Sequence, residues 1–473
     1  MSDKSRLKTV LARHGQEHLL RFWDELDERE RSQLAGDIHG IDFDVFQRAL
    51  ERTSIDSAET DPDAYDVPDA LSERPSAQTE PTYARARELG TQVIRNGRVA
   101  ALTVAGGQAT RLGHEGPKGA YPIAPVSGKS LFQLFAESIL ATNRRYDGNV
   151  PWYVMTSPAN HDQTIRFFEQ KNYFGLSPDD VNFFPQGMIP VADPTGKILL
   201  ETRCRVALAP NGHGGCLTAL ADEGMLEDLA RRGVDYISYF QVDNPLAMPV
   251  DPLFVGMHAL ERSEMSSLTM GKAADDEKVG HFVLIDGKLH VAEYTTFPET
   301  LTRLRMPDGQ RKFDLANIAM HVLNRAFVER LVGQGRQQTL PWHHARKIAP
   351  YVDLETGATV NPDAPNASKL ETFIFDALPL ANRPMLLRTI RHERFSPVKS
   401  LEGVDSVVSA RRDMLRRAAA WLEACGVGIP KNATGDCDCM IEISPLYALD
   451  AAMLREREDG HRRVAPGASV LLE

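Results

Sequence analysis

The stretch from Arg98 to Lys118, RVAALTVAGGQATRLGHEGPK, constrains this chain more than any other. Its first part, Val99 to Ala105, is an unbroken apolar, β-favouring run of strand length, which suits a parallel strand buried on both faces. Gly106 and Gly107 end the run. Two glycines after a buried strand let the backbone turn tightly and approach a ligand with no Cβ in the way, leaving N–H groups to meet an anion. Arg111 and Lys118 follow on the same loop, a planar fork and a flexible point charge that can converge on one set of phosphate oxygens. A glycine turn with two solvated cations fits these residues equally well, so the loop alone does not decide.

Composition narrows the classes. With 473 residues the chain is too long for one ordinary core, and two or three domains are expected. No apolar run approaches the ~18 residues of a membrane helix, and the N-terminus MSDKSRLKTVLARHGQEH lacks the apolar segment of a secretory signal. The formal charge of −11 argues against a general nucleic-acid binder, so any phosphate site must be a local basic cluster. Five scattered cysteines predict reduced thiols and a cytoplasmic protein. Cys437 and Cys439 have no second close Cys or His pair, and no zinc site is expected there.

Residues 1 to about 53 carry apolar positions at helical spacing, from Leu7 to Leu26, and predict a helical satellite layer. From Ser54 to Pro81 the chain turns acidic and proline-containing, as an exposed connector would. A short helix, Arg85 to Arg95, leads into the glycine-ended strand, and Ser130 is placed to cap another helix beyond it. Strands at Trp152–Thr156, Val181–Phe184 and Tyr236–Val242 then alternate with helices at Asp162–Gln170 and Leu217–Arg231. Such alternation predicts an α/β fold, a mostly parallel Rossmann-like sheet with helices on both faces and ligands beyond the strands' carboxyl ends. Asp286-Gly287 between two alternating runs marks an inserted hairpin. Val404 to Cys425 reads as one amphipathic helix opening a small α+β C-terminal domain. The expected division is therefore 1–95 (with the linker 54–81), 96–400 and 401–473.

Several residues stand where chemistry would need them. Gln186, in FFPQGMIP, offers donor and acceptors from one planar amide, which complements a uracil edge. A second glycine cluster, Gly212-His213-Gly214-Gly215, could cradle a nucleoside or sugar. Asp243, ending the strand YISYFQ, can hold Mg²⁺ through one oxygen while phosphates and water supply the rest. Asp251-Pro252 reads instead as a helix cap followed by proline, and His343-His344 as structural; Asn317 sits in a stretch, Asp314 to Leu323, that reads as helical, and Phe373 and Phe375 alternate at strand period.

Taken together, VAGGQATRLGHEGPKG, FFPQGMIP, APNGHGG, VDN, EYTT, ANIAMH, SKLETFIFD and IEISPL, in this order, resemble the UDP-N-acetylhexosamine and UDP-glucose branch of the sugar-nucleotide pyrophosphorylases. The resemblance runs from about Pro81 to Val470. It implies a nucleotidyltransferase that joins UTP to N-acetylglucosamine 1-phosphate with Mg²⁺ at Asp243. It further implies Arg111, Lys118 and Lys399 as the catalytic cations, and UTP contacts from Gly106, Gly107, Lys118, Gln186, Gly212 and Lys369. His213, Glu293, Asn317, Phe373 and Phe375 would line the sugar. Partners would be these small molecules, with no nucleic acid or membrane; the oligomeric state is left open. Two departures matter. Ala109 stands where the family has glycine, which would strain a backbone of positive φ. His213 stands where the N-acetylhexosamine enzymes have asparagine and the glucose enzymes histidine, so a glucose 1-phosphate enzyme is the rival, and a non-catalytic nucleotide-sugar sensor the rival of another class.

Overall fold

A computed structural model describes residues 3–51, 62–333 and 340–473. Those residues divide into two compact units, each drawn from three stretches: one within 1–61, 186–219 and 331–376, the other within 62–185, 220–330 and 377–473. This partition cuts across the consecutive division read from sequence, and the C-terminal residues 401–473 belong to the larger unit.

The larger unit is built on a sheet of ten strands. They are β1 (Leu71–Ser72), β2 (Val99–Val104), β3 (Trp152–Thr156), β4 (Val181–Pro185), β5 (Tyr236–Gln241), β6 (Met265–Gly271), β7 (His281–Ile285), β8 (Lys288–Ala292), β9 (Leu315–Asn324) and β10 (Met385–Arg388). Eight lie in the order β1-β10-β6-β9-β5-β2-β3-β4, and β9 alone among them runs antiparallel to its neighbours. The apolar run of β2 is buried on both faces, as its sequence required. Adjacent residues on β3 show what covers each face. Trp152 bonds Thr103 Oγ1 at 2.7 Å and packs on Phe132 and Phe168, from helices Leu131–Tyr146 and His161–Gln170. Tyr153 points the other way, and its hydroxyl donates to Asp228 of helix Met225–Arg231 at 2.5 Å.

The hairpin β7–β8 closes through Asp286-Gly287, both at positive φ, as a two-residue turn of the primed kind demands. Ser130 caps its helix through Gln133 N, and Asp251 caps Pro252–Leu260 through the N–H groups of Leu253 and Phe254. Other expectations fail for identifiable reasons. The single helix expected over Leu217–Arg231 breaks at Gly224, φ 71°, into Cys216–Asp222 and Met225–Arg231. Residues 54–61 of the connector lie outside the described residues; the described remainder is mostly exposed, as expected, but Tyr65 packs on Phe297 and β1 joins the sheet beside β10. The stretch around Asn317, read as helical, is strand β9. An apolar run such as LANIAMHVL suits either state, and pairing on both sides decided for strand.

In the smaller unit the N-terminal helices are part of the core rather than a satellite. Leu7, Leu11, Leu34 and Phe46 pack in one cluster with Ile189, Leu200, Trp342 and Leu370.

Candidate functional site

At the carboxyl edge of the main sheet the loops after β2, β3 and β5 meet. Parallel pairing of β2 with both neighbours puts them there, and Val242 N donates to Val104 O at 3.1 Å. Asn160, after β3, braces the glycine loop: its amide donates to Ala105 O at 3.0 Å and Gly107 O at 3.2 Å. The loop then closes on itself through Lys118 N to Gly107 O and Ala109 N to Gly116 O, both 3.0 Å. The N–H groups of Gly106 and Gly107 find no acceptor among the described residues, which leaves donors for an anion.

Ala109 settles the backbone question raised by the sequence. It sits at φ −93°, ψ 17°, fully buried, so alanine is unstrained there. Ala109→Gly is therefore expected to destabilise the fold by about 1–2 kcal/mol, from added chain entropy and a lost methyl contact. Chemical denaturation checks this; a gain in stability would contradict the geometry.

The cations fall into two kinds. Arg111, in the turn Thr110–Leu112, is exposed and has no ion-pair partner among the described residues. Lys118 Nζ lies 3.2 Å from Asp243 Oδ2, with both side chains less than a fifth exposed. Lys399 Nζ pairs with Asp405 at 3.0 Å, and the preceding residue, Val398, donates its N–H to Asp243 O at 2.8 Å. Asp243 thus ties the segment carrying Lys399 to the loop carrying Lys118. Within the same unit, the antiparallel register of β9 against β5 sets Asn317 toward the carboxyl edge, where it and Glu293 converge on Gly280: Asn317 N donates to Gly280 O at 2.9 Å, and a Cβ on Gly280 would come within 3.4 Å of Glu293 Oε1. Next to Asn317, Ala319 is held at φ 54°, where a non-glycine residue is strained, and its N–H is taken by Asn317 Oδ1 at 2.9 Å.

The smaller unit carries the remaining candidates. Met188–Pro190 pairs antiparallel with Leu208–Pro210, so Gln186-Gly187 and Asn211-Gly212 lie side by side. Gly212 takes φ 85°, and a Cβ there would fall 2.4 Å from Thr372 O. That close approach lets Thr372 N reach Asn211 O at 2.9 Å and Gly214 N reach Thr372 O at 2.8 Å. Ile374 N donates to His213 Nδ1 at 3.2 Å, which fixes the tautomer: Nδ1 must accept, so Nε2 carries the proton. Burial pushes the His213 pKa down to about 4, with His343 acting the same way and Glu371 opposing, so the ring is a neutral donor. It stacks on Phe373 at 5.2 Å and leans on Phe375 at 5.6 Å.

Phe373 and Phe375 are not on a strand, as their alternation had suggested. The strand ends at Glu371 and a 3₁₀ turn begins at Ile374. Lys369 is on that strand, its Nζ 2.6 Å from Glu371. His343, taken as structural, joins the aromatic cluster at 4.4 Å from Phe373 and pairs with Asp376 at 2.8 Å. Sequence reasoning also passed over Asn160 and Asn211. Asn211 had a signal available, because its amide is wedged between Gly187 and Gly215, where Cβ atoms would fall within 2.7 Å and 2.0 Å of it.

A glycine loop with open N–H donors, beside a lysine–carboxylate pair at the carboxyl edge of a parallel sheet, marks a nucleotide-handling α/β protein. A family model described as UTP--glucose-1-phosphate uridylyltransferase matches residues 43–419, and the chain belongs to that family. It is 34% identical to human UDP-N-acetylhexosamine pyrophosphorylase-like protein 1, over 98% of this chain and 97% of that protein. It is 35% identical to UDP-N-acetylglucosamine diphosphorylase 2 of Arabidopsis thaliana, over 94% and 90%. The crystal structure of the uridine diphosphate N-acetylglucosamine pyrophosphorylase from Trypanosoma brucei, in complex with inhibitor, superposes with a TM-score of 0.84 at 27% identity, covering 100% of this chain and 98% of that one.

Proposed function

We propose that this chain transfers the uridylyl group of UTP to N-acetylglucosamine 1-phosphate, releasing pyrophosphate and UDP-N-acetylglucosamine. The observation that carries this reading is the Lys118–Asp243 pair beside the open glycine loop, on a chain similar almost end to end to N-acetylglucosamine pyrophosphorylases. A phosphate oxygen of the sugar attacks the α-phosphorus of UTP, a new O–P bond forms, and the bond to the β-phosphate oxygen breaks. The attacking oxygen is already ionised and needs no base. Catalysis is then a matter of positioning and charge neutralisation. In this reading Arg111 and Lys118 stabilise the α-phosphate and departing pyrophosphate, and Lys399 the incoming phosphate. Gly106, Gly107, Gln186, Gly212 and Lys369 hold UTP; His213, Glu293, Asn317, Phe373 and Phe375 hold the sugar.

Asp243 is a hard, anionic donor that suits Mg²⁺, and among the described residues no group of three His, Cys, Asp or Glu side chains gathers to hold a metal. That set fits an ion held by one protein carboxylate together with substrate oxygens. Bound there, Mg²⁺ would neutralise triphosphate charge. Asp243→Asn is expected to raise the Mg²⁺ concentration for half-maximal rate, and an unchanged titration would move the metal elsewhere.

The five free cysteines, and the absence among the described residues of a helix long and apolar enough to cross a membrane, accord with a cytoplasmic enzyme. The deciding experiment is kcat/KM for N-acetylglucosamine 1-phosphate and glucose 1-phosphate, read by pyrophosphate release. The N-acetyl sugar should win by roughly 10–200-fold, the worth of one methyl-sized apolar contact. His213→Asn should sharpen that ratio. The asparagine oxygen can accept the Ile374 N–H as Nδ1 does, while the ring shared with the glucose enzymes is gone. A wild-type ratio favouring glucose 1-phosphate overturns the assignment; no pyrophosphate with any sugar, despite UTP binding, would indicate a sensor.

A further inference from the structure

Behind the Asp243 loop, within the larger unit, lies a cavity of about 260 Å³. Its walls are mostly apolar, from Phe135, Leu246, Met248, Met414 and Trp421, with two arginines, Arg394 and Arg417, facing in. We propose that this cavity binds a small monocarboxylate with an apolar tail, held by Arg417.

The two arginines differ in how their charges are met. Arg394 is already paired, at 2.5 Å with Asp251 and 3.4 Å with Glu73. Glu442 accepts from Val126 N, Ser127 N and Ser127 Oγ at 2.6–2.9 Å, and Asp450 caps its helix through Met453 N at 2.7 Å. Both oxygens of Glu393 accept from Trp421 Nε1, at 3.1 and 2.9 Å. Glu73 is thus ion-paired, and the oxygens of Glu442, Asp450 and Glu393 are occupied by neutral N–H and O–H donors rather than by Arg417. Arg417 is not so served. Its five donors meet two backbone carbonyls at long range, Leu246 O at 3.4 Å and Glu393 O at 3.2 Å, and its charge rests on the Trp421 ring at 5.2 Å. Burial pushes its pKa down to about 10, with Arg394 acting the same way against Glu393, so the cation is held at a cost that an anion would offset.

A guanidinium fork matches a carboxylate bidentately, and the apolar walls favour a hydrocarbon portion behind it. The neighbouring Glu393 charge disfavours a dianion, which selects a carboxylate over a phosphate monoester. None of these residues has a part in the proposed uridylyl transfer, so this site stands or falls separately.

The test uses the full chain with 4-phenylbutyrate as probe and 4-phenylbutanamide as its neutral counterpart, followed by saturation-transfer NMR and thermal shift. Saturable binding of the acid, at least tenfold tighter than the amide, is expected. Arg417→Met should weaken acid binding by about ten- to a hundredfold. Ala452→Trp, at an exposed lining position that leaves Arg417 intact, should block binding of both and decides the matter if Arg417→Met does not fold. Equal binding of acid and amide, no saturable binding, or acid binding that survives either folded variant would overturn the proposal.

Discussion

Arg111→Ala is expected to lower kcat by about 10²–10³-fold, the usual loss when one donor to developing charge is removed. Stability should move by no more than about 0.5 kcal/mol, because the side chain is exposed and has no ion-pair partner among the described residues. Measuring turnover and melting temperature on the same preparation separates the two quantities. Near-normal turnover would remove Arg111 from the chemistry. Lys118 is a less clean probe, since its removal also strips Asp243 of its cation.

Gly212→Ala should have the largest effect on the fold. The new methyl would meet Thr372 O at 2.4 Å and Thr372 N at 2.7 Å, in a backbone held at φ 85°. Left-handed strain costs about 1–2 kcal/mol and a clash against backbone about 1–3 more, so a loss of roughly 2–5 kcal/mol is expected. Relief by local movement would pull residues 211–215 from residues 372–374 and break the Ile374–His213 bond. Denaturant titration measures the first effect, and a raised KM for the sugar phosphate the second. A variant as stable as the wild type would show that the two segments do not depend on their close contact.

What the sequence made legible follows a physical division. Local signals succeeded: the strand of Val99–Val104, the Asp286-Gly287 turn, and the Ser130 and Asp251 caps all follow from neighbours within a few residues. Asp243 was correctly set at a strand end because strand length and turn chemistry are also local. Non-local features escaped. Strand β9 carries a register shift against β6 between Ser267 and Thr269, and nothing in LANIAMHVLN announces it. His343 reaches the Phe373 cluster because residues 343–347 pair with 367–371, a register no spacing rule supplies. Asn160 serves the glycine loop from 53 residues away in sequence.

The interleaving of the smaller unit has a consequence for how the chain is made. Leu7, Leu11 and Phe46 find Trp342, Val352 and Leu370 among their partners, so a ribosome must add about 300 further residues before that core can close. At roughly 5–20 residues per second this is on the order of 15–60 s. Throughout that interval the amphipathic helices at the start of the chain carry uncovered leucine and phenylalanine faces. Vectorial synthesis therefore cannot close this unit until those later residues are added, and the nascent helices that carry Leu7, Leu11 and Phe46 are a natural client for a chaperone that shields apolar surface.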